Sequence, residues 1–428
     1  MRMKMNNFTL PVLLAVLASL PARGADWPQY RGPNHDGASP EKIPVKWPES
    51  GLRQIWKTPL NKGFSSFVLG GGKAYTLVTR EIEGGDQEVC LALEAGSGKE
   101  LWAAPLGIAK YDQGGDSGAP GNNGGDGPRS TPAYDHGKVY AYSSRLVLKC
   151  VNADDGKELW SCDLMKDHAG RNIHWESAAS PLIDGDLVFV EGGGPGESLL
   201  AFDKNDGHVV WKAEDDKMTQ STPVAATILG ERQVVFFTQQ GLVSVSPKTG
   251  AVLWRFPFNA SKGAAAITPV VSGDLVYCSM SYNVGSAVCK ITKTNDAYAA
   301  TQLWMVPGNK ESSHWATPVA FNGCLYGIYG QALFGTAPLK CIDLATGAEK
   351  WSKEGFGPGG VTLVEGGNLL VLSDAGDLVL VKAAPDTYTE LARTHVLAGK
   401  CWNPVAISNG RIYARSTKEA VSLDASPN

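Results

Sequence analysis

Two short stretches set an imidazole beside an indole, and both lie just ahead of a Ser/Thr-Pro step. "NIHWESAASPL" runs from Asn172 to Leu182 and "SSHWATPVAF" from Ser312 to Phe321, in a chain with only seven histidines. Imidazoles exchange protons near neutral pH, and indole faces stack on flat or apolar rings. Other polar and aromatic residues sit at matching places. Arg129 precedes Ser130-Thr131-Pro132, Gln220 precedes Ser221-Thr222-Pro223, and Trp402-Asn403 precede Pro404. A guanidinium can hold an anionic group bidentately. The candidate ligand-binding residues are therefore Arg129, His174, Trp175, Glu176, Gln220, His314, Trp315, Trp402 and Asn403. A concave mouth lined this way suits a sugar, a quinone or a peptide segment. The competing reading is that these side chains only pack over a core.

Other chemistry has weaker support. The stretch from Gly107 to Ser130, "GIAKYDQGGDSGAPGNNGGDGPRS", offers Asp112, Asp116, Asn122, Asn123 and Asp126 as hard oxygen ligands for Ca²⁺, but without the EF-hand order. A polar surface loop explains it as well. No pair of carboxylates stands at a spacing diagnostic of glycoside hydrolysis. Of eight cysteines, Cys90, Cys150 and Cys341 read as small buried apolar residues. Cys278 with Cys289, and Cys324 with Cys341, flank hairpins and could form cross-strand disulfides. There is no adjacent Cys-Cys and no Cys-x-x-Cys-His haem attachment signal.

The elements that would position these residues follow from a repeat. "ALEAGSGKELW" ends at Trp102, "CVNADDGKELW" at Trp160, "AFDKNDGHVVW" at Trp211, "SVSPKTGAVLW" at Trp254 and "CIDLATGAEKW" at Trp351. A looser copy ends at Trp304 and a degenerate one at Leu391. Alternating with these are eight hairpin signatures such as "STPAYDHGKVYAYS" and "ITPVVSGDLVYCSM". Units of about 40–50 residues with four short strands are propeller blades. The expected fold is all-β: an eight-bladed β-propeller. The last hairpin lacks its own Trp strand, and "LRQIWKTPL" with Trp56 near the start supplies it, closing the ring. The repeated Trp residues are then structural. The repeated glycines Gly98, Gly156, Gly207, Gly250 and Gly347 serve the turns.

Bulk properties bound the function. Apolar content of 43% against 19% charged residues permits a large core. The net charge is −4, with no Lys/Arg block, so neither nucleic acid nor an anionic membrane surface is an expected partner. Residues 1–24 read as a cleaved secretory signal: Arg2 and Lys4, an apolar run from Phe8 to Leu20, and a small-residue cleavage site at Ala22-Arg23-Gly24. The run is short for a membrane span, and no Cys follows it for a lipid anchor. A periplasmic or secreted protein is expected. Residues 25–50 form an arm packing on the propeller at 51–428. In this arm Trp27 and Tyr30 bury, and Arg31 meets an acid or carbonyl.

The D-x-x-T-G-x-x-x-W blade ending resembles the tryptophan-docking repeat of quinoprotein (PQQ) alcohol dehydrogenases and of the propeller lipoprotein that assists outer-membrane barrel assembly. Over nearly the whole mature chain, "DWPQYRGPNHDG", "SAASPLIDGDLVFV" and "TQQGLVSVSPKTGAVLW" resemble the exported PQQ-like repeat proteins of planctomycete and verrucomicrobial bacteria. The dehydrogenase resemblance implies PQQ with Ca²⁺. This chain lacks the adjacent Cys pair those enzymes commonly carry, and Glu176 is the single nameable member of a metal set. Three functions stand. The favoured one is a binding or scaffold propeller for a glycan, small molecule or protein at the channel mouth. The others are a PQQ-dependent oxidoreductase and a carbohydrate-active lyase using a mouth histidine as base.

Overall fold

A computed structural model describes residues 26–111, 127–259, 265–330 and 337–427. The chain folds into eight sheets, each a four-stranded antiparallel blade, one of which gains a fifth, parallel strand from the arm. Blades 1 to 7 span residues 68–108, 133–163, 182–213, 224–257, 270–306, 319–353 and 360–395. Blade 8 combines residues 406–424 with the early strand Gln54–Pro59. Trp56 pairs with Ser422 and Lys57 with Val421, so the two ends of the chain share one sheet as expected. The apolar cores lie between blades. One joins blades 1 and 2 around Tyr75 and Val139, and another joins blades 8 and 1 around Trp56, Phe67 and Tyr413. Every neighbouring pair has such a core, which is the packing signature of a closed ring. Closing the ring leaves each sheet with only short, protected edges.

The repeated Trp residues lock each blade to the next. The indole N–H of Trp102 donates to Ala153 O at 3.0 Å, Trp211 to Pro247 O at 2.8 Å and Trp56 to Ala95 O at 2.9 Å. The rings of Trp56, Trp102, Trp160, Trp211 and Trp304 lie on the glycine of the next blade's turn, whereas Trp351 donates to Ala384 O in a blade 7 turn without glycine. A Cβ on Gly207 would stand 2.6 Å from the Trp160 ring, and one on Gly250 2.6 Å from Trp211. These glycines also carry φ near +71° to +77°. Two constraints therefore meet on one residue: a left-handed turn and a flat seat for an indole. Trp254 departs from the rule. Blade 5 has no glycine in that turn, and Trp254 donates instead to the Gln233 side chain of its own blade at 2.8 Å. Leu391 stands in the place of Trp in blade 7, and the third and fourth strands of blade 8, Glu419–Asp424 and Gln54–Pro59, are not joined by a turn.

The Ser/Thr-Pro steps form an inner ring. Ser66 N–H donates to Thr131 Oγ1, Thr131 N–H to Ser180 Oγ, Ser180 N–H to Thr222 Oγ1 and Thr268 N–H to Thr317 Oγ1, all at 2.9–3.0 Å. Blade 7 has Gly360 at this place, where a Cβ would meet Pro404 N at 2.3 Å. Blade 8 has Asn403.

The arm crosses one mouth of the channel, on the side of the repeated glycine turns (the lower face). Trp27, 1% exposed, bridges to Leu69, and Tyr134 N–H donates to Pro28 O. Gln29 exchanges two hydrogen bonds with the Ile183 backbone. Arg31 donates to the carbonyls of Thr317 and Pro318, and Ala38–Ser39 pairs in parallel with blade 7. Tyr30 is half-buried.

All eight cysteines are free. The suggested disulfides do not form. Cys278 stands opposite Ala287 and Cys289 opposite Val276, while Cys324 stands opposite Asp343 and Cys341 opposite Tyr326. Each pair is a diagonal neighbour, and diagonal Cα separations of about 7–8 Å exceed what a disulfide spans. Burial pushes the Cys90 and Cys150 thiols up to about 12. The signal segment and the proposed Ca²⁺ ligands Asp112, Asp116, Asn122, Asn123 and Asp126 lie outside the described residues.

Candidate functional site

The loops that lead into each blade, and the turns between its second and third strands, gather on the upper face, opposite the arm. There the rings of both His-Trp pairs meet in one continuous belt. His174 contacts Trp175 edge-on with ring centroids 5.6 Å apart. Trp175 stacks on Tyr282 at 5.6 Å and 9°. Tyr282 meets His314 edge-on at 5.1 Å, and His314 lies 4.3 Å from Trp315. Trp315 packs on Trp402 at 4.9 Å, and Trp402 stacks on Phe64 at 4.7 Å. Seven rings from blade starts 3, 6, 8 and 1 and from a turn of blade 5 thus arc across the mouth. The two His-Trp pairs are linked through Tyr282 rather than facing each other over open space.

The polar candidates stand behind the belt and hold its backbone. Arg129 donates from Nη1 to Trp175 O at 2.9 Å, and Gln220 donates from Nε2 to Glu176 O at 2.9 Å. Glu176 is buried at φ +62°. Its carboxylate accepts from Arg145 at 3.2 Å and from Asn172 at 2.6 Å. The loop therefore turns through a left-handed residue that a charged pair fixes in place, which aims Trp175 at Tyr282. Asn403, 2% exposed, occupies the inner ring, and neither atom of its amide has a hydrogen-bond partner among the described residues. His314 is also buried, and its Nδ1 has no partner among the described residues. Burial lowers its pKa to about 3, so its ring is neutral. His174 is exposed. Below Arg129, Tyr111 donates its hydroxyl to the buried Glu88, which also accepts from Ser144 N–H. Burial raises the Glu88 pKa.

Sequence reasoning missed Tyr282 and Phe64. Phe64 stands two residues before Ser66, as Trp315 stands two before Thr317, so aligning the blade starts would have found it. Tyr282 comes from a different kind of turn, held at φ +59° beside Asn283 at +65°. No repeat marks it.

The mouth does not fit a planar cofactor. Its rings lie against one another at 4.3–5.6 Å between centroids, so no slot is open for a tricyclic quinone between them. The Glu176 carboxylate is committed to Arg145 and Asn172. Among the described residues, the one cluster spaced for a metal is Asp203, Asp206 and His208, in a glycine turn on the lower face. No step through PQQ or Ca²⁺ follows from this arrangement.

A ring of eight blades locked by tryptophan docking defines a PQQ-type β-propeller. The structure of BamB from Moraxella catarrhalis shares the fold, with a TM-score of 0.58 at 16% identity over 87% of this chain and 97% of that one. So does quinohemoprotein alcohol dehydrogenase from Comamonas testosteroni, with a TM-score of 0.63 at 13% identity over 94% and 81%. The chain belongs to the family described as outer membrane protein assembly factor BamB (PQQ_2), whose model matches residues 85–353. The outer membrane protein assembly factor BamB of Escherichia coli is 26% identical over 291 residues, which is 66% of this chain and 70% of that protein.

Proposed function

We propose that this protein is a non-catalytic binding propeller of the cell envelope that docks a protein partner on the aromatic belt of its upper face. The belt is the observation that carries the reading. His174 and Tyr282 are exposed and Trp175 and Trp315 half-buried over the buried rings of His314, Trp402 and Phe64, so the belt offers a supported aromatic patch rather than a deep pocket. Aromatic-rich patches of this kind anchor protein contacts. Relatives named as outer membrane protein assembly factors support a protein over a glycan or small molecule as occupant. A membrane-crossing helix is not part of this reading, since no helix among the described residues is long and apolar enough. The histidines fit catalysis poorly. Among the described residues no carboxylate orients His174 or His314, and a buried imidazole with a pKa near 3 is a weak base.

Photo-crosslinking residues placed at positions 174 and 282, with a lower-face control at 205, test the reading in the native host. Adducts to one defined protein from the upper positions, lost in a Trp175→Ala/Trp315→Ala variant, are expected. Equal adducts from position 205 refute it. Turnover of an alcohol or sugar after addition of PQQ and Ca²⁺, above a no-protein control, favours the oxidoreductase instead.

A further inference from the structure

A second site lies at the other mouth, beneath the arm. A small cavity, with room for about one water-sized particle, is lined by Tyr30, Arg31 and His35 from the arm and by Thr222 and Thr268 from blades 4 and 5, with Pro181, Leu182, Pro223 and Gln29 completing its wall. Its polar lining is rich in donors and contains no carboxylate. Arg31 is 5% exposed, and its hydrogen bonds go to the neutral backbone carbonyls of Asp36, Thr317 and Pro318. Thr222 Oγ1 already accepts from Ser180 N–H, so its own proton is left to donate into the cavity. Thr268 stands apart among the inner-ring hydroxyls. In a residue 2% exposed, its Oγ1 has no hydrogen-bond partner among the described residues. The Gln29 amide is spent on Ile183.

We infer that this cavity binds a small inorganic anion of chloride size, held by Arg31 and by the hydroxyls of Thr222 and Thr268. A buried cation whose hydrogen bonds go to neutral oxygens, with the Asp36 carboxylate acting on it only through space, recovers only part of its lost hydration, and a desolvated anion beside it adds compensating charge. Carbonyl-lined and donor-lined walls meet at Arg31, so the anion bridges the arm to the ring. It does so where direct bonds are missing: among the described residues, the arm's hydrogen bonds and strand pairing reach blades 1, 2, 3, 6, 7 and 8, whereas the cavity extends from blade 3 to blades 4 and 5. Burial also lowers the pKa of His35, to about 4, which leaves Arg31 as the positive charge of the cavity at neutral pH.

The test uses the full chain. Crystals grown in sodium bromide should show an anomalous peak beside Arg31 and Thr268. In solution, sodium chloride should raise Tm over sodium isethionate at equal ionic strength. The rise is about 3 °C when chloride exceeds its dissociation constant about a hundredfold. Thr268→Val keeps the Thr268 N–H bond to Thr317 and should fold, but it should lose the chloride increment. Water in place of bromide, bromide confined to the outer surface, or an unchanged chloride increment in Thr268→Val would each overturn the proposal. Arg31→Met should destabilise the arm in both salts and erase the difference between them. A chloride effect that survives this change also overturns it.

Discussion

Replacing Gly207 by Ala tests the docking account directly, because Gly185 provides a matched control. Both glycines have positive φ, +77° at Gly207 and +61° at Gly185. Placing Ala in the left-handed region costs about 1 kcal/mol at either site. The entropy removed from the unfolded chain is the same for both and cancels. Their surroundings differ. A Cβ at Gly185 meets nothing within 4 Å, whereas one at Gly207 stands 2.6 Å from two ring carbons of Trp160. The indole must move by nearly 1 Å to reach ordinary contact. It is held by its N–H bond to Lys204 O and by the Tyr140 ring. Overpacking of this kind costs about 1–3 kcal/mol. Urea unfolding followed by tryptophan fluorescence should therefore show Gly207→Ala destabilised by about 1–3 kcal/mol more than Gly185→Ala. In a Trp160→Ala background the gap should close, since the clash has no partner. Equal losses for the two single variants would refute the claim that glycine is there to seat the indole.

Two further outcomes follow from the geometry. Gly360→Ala drives a Cβ into the Pro404 backbone at 2.3 Å and should cost about 3 kcal/mol or prevent folding, read by chemical denaturation; a loss below about 1 kcal/mol would show that blades 7 and 8 are not in tight contact. His314 has a folded pKa near 3, below the ordinary 6.5, because it is buried. The unfolded chain then binds the extra proton between those values, so this contribution is complete above pH 6.5 and is lost as pH falls, with a slope approaching about 1.4 kcal/mol per pH unit. His35 acts in the same sense. His314→Phe should lose stability less steeply than the parent between pH 7 and pH 4, and parallel curves would refute burial of a neutral imidazole.

The sequence alone carried the ring. The period between Trp211 and Trp254, the Gly turns and the Ser/Thr-Pro hairpins are local patterns repeated many times, and each copy specifies the same four-stranded unit. The missing Trp strand after the last hairpin, matched by Trp56 near the start, even foretold closure, because a strand without a partner edge must find one. His174, Trp175, His314, Trp315 and Trp402 were legible for a related reason: they stand at a fixed place in the repeat where the fold does not demand them. What the tertiary structure decided is which side chains touch. Tyr282 belongs to no repeated motif, yet it joins the two His-Trp pairs, because curvature brings a turn of blade 5 between blade starts 3 and 6. Glu176, read as a ligand, became a brace once Arg145 and Asn172 were seen beside it. The cysteine spacings allowed disulfides that strand register places on the diagonal and leaves unformed. Ring curvature and register are sums over the whole chain, and no local stretch of residues encodes them.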